Sequence, residues 1–414
     1  MKQKRESKPA RIEFIDTTLR EGLQSPLWND YGKFYITTED KLEIVEKLIR
    51  YGVKFIEVFS PIVGEREASD LKQIIGKKET VCQELNKKVS LLVHVRCHPE
   101  DVETALKYPV DGLNFYIGTS SFSQKYNHGK DLSQIIKMTK PLIREVRKKH
   151  PRLLLRFGGE DAFRTPLKDL FTVYDSLVGL VDRFSLPDTV GIASPEEVEE
   201  RVLEFKKRYP KVGLEGHFHN ERGLSLINAL TAIEAGMDFI NTSVLGLGER
   251  SGITSLTALV FNLYLKDPGL VKDLDLSSSY ALNVFLAKIM NMHVPPTEPI
   301  SLTNRTHAAG VHAQAVLKSP TAYEAHFLRK FGVTQRRLLL GPLSGRHIVG
   351  YFLTEILKFV VEDEKIIEEI TNEFKKRAVE ADSKKTPSKI LKQLALEYRL
   401  PQRLEPKTHI EKLD

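Results

Sequence analysis

Short runs of β-branched, leucine and aromatic residues recur along the chain, each followed by a longer stretch whose apolar positions fall three and four residues apart. The runs are Ile12 to Ile15, Phe55 to Phe59, Ser90 to Val95, Gly112 to Tyr116, Leu153 to Phe157, Asp182 to Ser185, Gly213 to Phe218 and Phe239 to Thr242. Runs of this length predict strands buried on both faces, and the spacing between them predicts amphipathic helices. Boundary residues sharpen the helices. Thr38 is placed to cap Glu39 to Tyr51 ahead of Gly52, and Pro99 opens a short helix. Pro195 opens Glu196 to Tyr209, and Gly223 to Ala235 stops at Gly236.

Strand and helix alternating eight times within about 250 residues predict an α/β fold, a (β/α)8 TIM barrel followed by a mainly helical C-terminal subdomain. No GxGxxG follows the first strand, which argues against a dinucleotide-binding sheet. The expected division is a tail at residues 1–10, the barrel at 11–265, a linker and lid at 266–345 and a charged helical segment at 346–414. Lys266-Asp267-Pro268-Gly269 marks the first break. In the last segment, helices are expected at Glu355 to Ala381 and Ser388 to Tyr398.

Composition narrows the class of protein. With 41% hydrophobic and 28% charged residues, the chain can bury a full core. The net charge of +7 raises the question of nucleic acid. The basic residues, however, are interleaved with acidic ones from Glu196 to Arg208 and from Glu362 to Arg377, the pattern of solvated helix faces, so no nucleic-acid partner is expected. Cys82 and Cys97 have neither CxxC spacing nor a disulfide framework around them. With no apolar run of membrane length and a polar start, they suggest a cytoplasmic protein without a membrane partner.

Candidate chemistry lies where the runs end, because barrel enzymes build their sites from the loops after the strands. In Gly216-His217-Phe218-His219, a strand would turn both imidazoles to one face, as a metal site or as a packed pair. Glu21, after the first strand, is either a third ligand or the ion-pair partner of Arg20. Arg20 is placed to steady developing oxyanion charge. His94 and Arg156 read as anion binders for a carboxylate substrate, or as a core histidine and an arginine buried against Glu160 or Asp161. Thr189 can donate a hydroxyl to a bound carboxylate, and Asp188 can orient a ligand. Gly246 to Gly252 forms a glycine-rich turn whose N–H groups can meet an anion.

Taken in order, DTTLREG (Asp16 to Gly22), PDTVG (Pro187 to Gly191), HFHN (His217 to Asn220), GLGERSG (Gly246 to Gly252), HAAGVHAQAVLK (His307 to Lys318) and LSGRH (Leu343 to His347) resemble the DRE-type TIM-barrel acyltransferases. That group comprises the homocitrate, isopropylmalate and citramalate synthases, with hydroxymethylglutaryl-CoA lyase more distant. The chain is most similar to the homocitrate synthases through His94 to Cys97, Arg156 to Arg164 and the run from Ala309 to Glu324. The resemblance implies a divalent metal (Mg, Mn or Zn) on Glu21, His217 and His219. A 2-oxo acid would chelate it, with Thr189 and Gln24 on the substrate and His94 and Arg156 on its distal carboxylate. Acetyl-CoA is the implied co-substrate, with Arg20, Glu160, Glu215, His312 and Tyr323 in the catalytic set. His312 and Tyr323 are contributed by the partner chain in such enzymes, which implies a domain-swapped homodimer.

The expected reaction is condensation of acetyl-CoA with 2-oxoglutarate to homocitrate. Isopropylmalate, citramalate or citrate formation, lyase-type cleavage and a silent metal- or CoA-binding barrel stand as alternatives. Departures from the pattern bear on the acceptor. Leu23 stands in REGLQ where an acidic residue is usual, Gly158 replaces a serine, Pro187 resembles the isopropylmalate and citramalate enzymes, and Glu221-Arg222 follows HFHN. Too few residues follow Arg346 for the regulatory module of many isopropylmalate synthases.

Overall fold

A computed structural model describes residues 12–33, 35–308, 310–319, 322–324, 326–380 and 386–403. Its strands are β1 (Glu13–Asp16), β2 (Phe55–Val58), β3 (Ser90–Arg96), β4 (Gly112–Gly118), β5 (Leu154–Glu160), β6 (Arg183–Asp188), β7 (Gly213–Phe218) and β8 (Phe239–Thr242). They form a closed parallel barrel in sequence order, with β8 returning to β1 in the register Glu13 to Phe239 through Asp16 to Thr242.

Paired residues on neighbouring parallel strands point to the same face, so register decides what fills the barrel. Ile15 pairs with Phe55 and with Asn241, and Arg156 pairs with Asn114 and Arg183. The interior is therefore apolar at one end and charged further up. At the apolar end the Arg183 guanidinium packs over both Phe55 (5.6 Å) and Phe239 (5.0 Å), whose rings touch edge to face. Outside, buried Ile44, Val45, Leu48 and Ile49 turn one stripe of the helix Thr38–Tyr51 inward.

That helix is capped one residue earlier than the sequence suggests. Only Thr37 has a carboxylate three residues on. Its Oγ1 accepts from Asp40 N at 3.1 Å, and Asp40 accepts from Thr37 N at 3.2 Å. The Thr38 hydroxyl instead donates to Asp70 at 2.6 Å. The helix after β7 is shorter than expected, Ser225–Glu234, because the Asn220 carboxamide holds Ser225 N in a turn at 3.2 Å.

The chain forms two compact units that divide between Ile300 and Ser301, not at Leu265. Residues 266–300 stay with the barrel through buried polar contacts. Asn283 donates to Thr257 Oγ1 at 2.9 Å and to Ile300 O at 3.1 Å, Thr257 donates to Glu298 at 3.0 Å, and the hydroxyls of Tyr51 and Ser279 meet at 3.1 Å. The second unit packs the helices Gly310–Lys318, Arg346–Tyr351, Glu364–Glu380 and Pro387–Glu397 around Leu353, Phe374, Leu391 and Leu394. The expected helix from Glu355 is interrupted before Glu364, where Phe359 bridges to Gln402 and Lys358 takes φ 61°. Its expected end, Ala381, lies outside the described residues. No described helix is long and apolar enough to cross a membrane.

Candidate active site

His217 lies on β7 and His219 just beyond it, so strand alternation turns both rings to one side. Their Nε2 atoms are 3.3 Å apart, and Glu21, from the turn after β1, reaches 3.9 Å from His217 and 3.8 Å from His219. Among the described residues this is the one group of three or more potential metal ligands with its atoms within 4.8 Å of one another.

Two neighbours prepare the group. His217 Nδ1 bonds the Asn241 carboxamide oxygen at 3.0 Å, which makes Nδ1 the donor and leaves the Nε2 lone pair facing Glu21. The glycine-rich turn holds Glu21 from the other side, with Glu249 N donating to its Oε1 at 3.2 Å. A Cβ on Gly248 would come 3.0 Å from the Glu21 Cγ, so the close approach requires glycine. The turn therefore buttresses a carboxylate, and the helix after it, Leu256–Lys266, is capped by Ser255.

Burial would raise the Glu21 pKa, but Arg20 and the two imidazoles outweigh it and hold the carboxylate at about 2. Burial drives His217 down to about 3. An ionised carboxylate and a neutral imidazole are what a divalent ion needs, so this donor set fits one.

Around the triad lies a charged layer. Arg20 pairs with Glu21, and its Nη2 contacts His94 Nε2 at 2.8 Å. Arginine can only donate, so His94 accepts at Nε2 and carries its proton on Nδ1, 3.5 Å from Glu57 Oε1. Burial first, then Arg20 and Arg156, push the His94 pKa well below its ordinary value. His94 is thus a neutral polar group, not the cation that anion binding suggested.

Arg156, 4% exposed, is buried against Glu215 (Nε to Oε1, 2.9 Å) and Glu57 (Nη2 to Oε2, 3.2 Å), not against Glu160 or Asp161. Asp161 pairs with Arg164 at 2.8 Å. Glu215 is fully buried between Arg156 and Arg183, whose Nε is 3.3 Å away, and it does not line the cavity. It reaches the cavity only through Arg156.

Sequence reading missed Glu57, which gathers Arg20, His94, Arg156 and Asn114. Its signal was an acid two residues after inward-facing Phe55. Tyr116, stacked on His94 at 4.1 Å, was missed as well.

Arg20, Glu21, His94, Arg156, His217 and His219 line one cavity of about 160 Å³. Gln24, Glu160 and Thr189 are also in its wall. Thr189 Oγ1 accepts from Asp161 N at 2.8 Å, leaving its proton free to donate. Burial raises the Glu160 pKa, partly offset by Arg20. Asp188 orients no ligand. Its carboxylate accepts from Ile192 N (3.0 Å) and Ala193 N (3.1 Å), tying its own loop, and burial raises it to about 6.

His312 and Tyr323 belong to the second unit, where their rings stack at 4.1 Å and both are exposed. Near them in sequence, Glu324 gathers Arg305 (2.7 Å), His307 (3.2 Å) and Arg336.

Residues 11–285 match the HMGL-like family model, and residues 302–382 match the homocitrate synthase post-HMGL domain-like model. The chain belongs to the HMGL-like family. The cytosolic isozyme of homocitrate synthase from Saccharomyces cerevisiae is 34% identical over 88% of this chain and 82% of its own length. Homocitrate synthase AksA of Methanocaldococcus jannaschii is 33% identical over 89% of this chain and 90% of its own. Among solved structures, the HMG-CoA lyase of Bacillus subtilis superposes with a TM-score of 0.56 at 22% identity, covering 69% of this chain and 96% of that one. That likeness concerns the barrel fold alone.

Proposed function

We propose that this HMGL-like protein condenses acetyl-CoA with 2-oxoglutarate and water to give homocitrate and free CoA. Its similarity to homocitrate synthases along most of the chain supports the reaction. The observation that carries the acceptor is one cavity lined by both the Glu21, His217, His219 triad and the buried guanidinium of Arg156. A branched aliphatic acceptor would offer nothing to Arg156 Nη1, the one edge of that guanidinium not bonded to Glu215 or Glu57.

Glu21, His217 and His219 would hold the divalent ion, and two imidazoles with one carboxylate suit Zn or Mn better than Mg. When bound, the ion supplies Lewis-acid polarisation of the acceptor's keto group. Thr189 donates its free hydroxyl proton to the C1 carboxylate, Arg156 meets the distal carboxylate, and Gln24 closes the rim. Glu57 and Glu215 hold Arg156 in place as positioning residues. Arg20 steadies the enolate oxygen formed when acetyl-CoA loses a methyl proton, and the enolate carbon then bonds to the keto carbon. Glu160, whose pKa burial raises, is suited to return a proton to the new alkoxide. Water finally cleaves the thioester.

His312 and Tyr323 form the base apparatus in this reading, supplied by a second copy of the chain in a swapped dimer. Their exposure, and the ties of His94, His217 and His219 to other groups, support that assignment. Both cysteines are free thiols, which supports a reducing, cytoplasmic setting.

The test is release of CoA thiol from acetyl-CoA, with Mg, Mn or Zn, across 2-oxoglutarate, oxaloacetate, pyruvate and 2-oxoisovalerate. Fastest release with 2-oxoglutarate is expected. A preference for another acid would refute the acceptor, and no release with any acid would refute the reaction.

A further inference from the structure

Tyr116, Gly158 and Ser185 form one row across β4, β5 and β6, since Tyr116 pairs with Gly158 and Gly158 with Ser185. Paired residues on parallel strands share a face, and all three line the active-site cavity. The row therefore sets a phenol and a hydroxymethyl group on either side of a position with no side chain. The gap is narrow. A Cβ on Gly158 would stand 3.1 Å from Arg156 Nη1 and 3.4 Å from Ser185 Cβ, so the guanidinium edge lies against the gap.

Each polar group bordering that gap has bonding capacity to spare. Arg156 spends Nε on Glu215 and Nη2 on Glu57, while Nη1 has no hydrogen-bond partner among the described residues. The Ser185 hydroxyl, on a residue 1% exposed, and the Tyr116 hydroxyl likewise have none there; the Ser185 carbonyl accepts from Tyr174 at 2.6 Å. Both hydroxyls belong to residues of the cavity wall, so a bound acceptor can meet donors that the fold has not engaged.

We infer that this row is the specificity-determining seat for the acceptor's far carboxylate, with Tyr116 and Ser185 as its neutral donors and Gly158 as the space it occupies. The inference rests on the proposed reaction and extends it to residues that reading does not use. The Arg156 charge is already offset by Glu57 and Glu215, so attraction alone discriminates weakly, and fixed donors select. An acceptor with an aliphatic end leaves the two hydroxyls and Arg156 Nη1 unpaired, and that kind of mismatch gives large discrimination.

The experiment is calorimetric titration of 2-oxoglutarate into the full-length, Mn-loaded protein, which needs no turnover, with Mn binding alone as the control. Tyr116→Phe and Ser185→Ala are each expected to weaken 2-oxoglutarate about 10-fold, the worth of one hydrogen bond to a charged group, while Mn affinity stays at the wild-type value. Gly158→Ala, which crowds Arg156, should weaken it further. Wild-type affinity in both hydroxyl variants, equal losses of 2-oxoglutarate and Mn, or no binding of 2-oxoglutarate to the wild type would each overturn the inference. Failure of the wild type to release CoA thiol, with the variant losses intact, would instead count against the proposed reaction alone.

Discussion

Two buried charge clusters in this chain differ in how completely they are satisfied. In the second unit, Glu324 takes bonds from Arg305, Arg336 and His307, and no described residue of that unit leaves a buried side-chain polar atom without a partner. In the barrel, Arg20 Nε, His94 Nδ1, His219 Nδ1 and Asn241 Nδ2 are all buried and lack hydrogen bonds. Folding alone explains the first cluster. The second keeps capacity that folding does not use, and it borders the cavity lined by Glu21, His217 and His219.

The comparison can be broken at either cluster. The largest effect is expected from His219→Ala, which removes a ligand. Turnover should fall to background and bound metal should be lost on elemental analysis, while the melting temperature changes little. Next comes Arg156→Ala. It should raise KM for 2-oxoglutarate about 100-fold, from the loss of a charged bond, and leave KM for acetyl-CoA within about twofold. Equal rises for both substrates would remove Arg156 from the acceptor site.

Glu324→Gln tests the satisfied cluster. It removes the countercharge of buried Arg305, which keeps its bonds to Val333 O and Thr334 O, at a cost of about 3 kcal/mol in denaturant unfolding, with 2-oxoglutarate binding in the barrel retained. Unchanged stability would show that the cluster is not structural.

The last effect is a slope in pH. Burial raises the Asp16 pKa to about 7, partly offset by bonds from Thr18, and its Oδ2 has no partner. Its folded form holds a proton that the unfolded form releases near pH 4, so its contribution falls as pH rises from about 4 to about 7, by about 1.4 kcal/mol per unit. Asp16→Asn should remove that slope. Glu324 runs the other way. Burial would raise it, but Arg336, Arg305 and His307 hold it at about 2, so its contribution is present above about pH 4.5 and is lost as pH falls toward 2. Parallel stability profiles for wild type and Asp16→Asn between pH 4 and 7 would contradict the Asp16 assignment.

The barrel was legible because its strands are buried on both faces and read as continuous apolar runs. Where the reading stopped short, the reason is the site itself. β5 runs on through Gly158 and Gly159 to Glu160, and β6 through Pro187 to Asp188, residues that look like loop in sequence because Gly158, Glu160 and Pro187 face a polar cavity. The meeting of Glu21, His217 and His219, with Arg20 beside them, was legible from alternation and their position after strands. The partners of Arg156 were not, since Glu215 and Glu57 lie 59 and 99 residues away, and only barrel closure brings them together. Glu57 and Tyr116 were overlooked for a related reason. A polar residue within an apolar run marks a solvated face in most sheets, but in this barrel it marks the inside.

The unsatisfied cluster in the barrel is proposed as a metal-dependent acceptor site. Its most direct test is titration of 2-oxoglutarate into the protein after chelation and again after reloading with Mn. Binding that appears only with the ion is predicted. Equal affinity with and without it would contradict the claim.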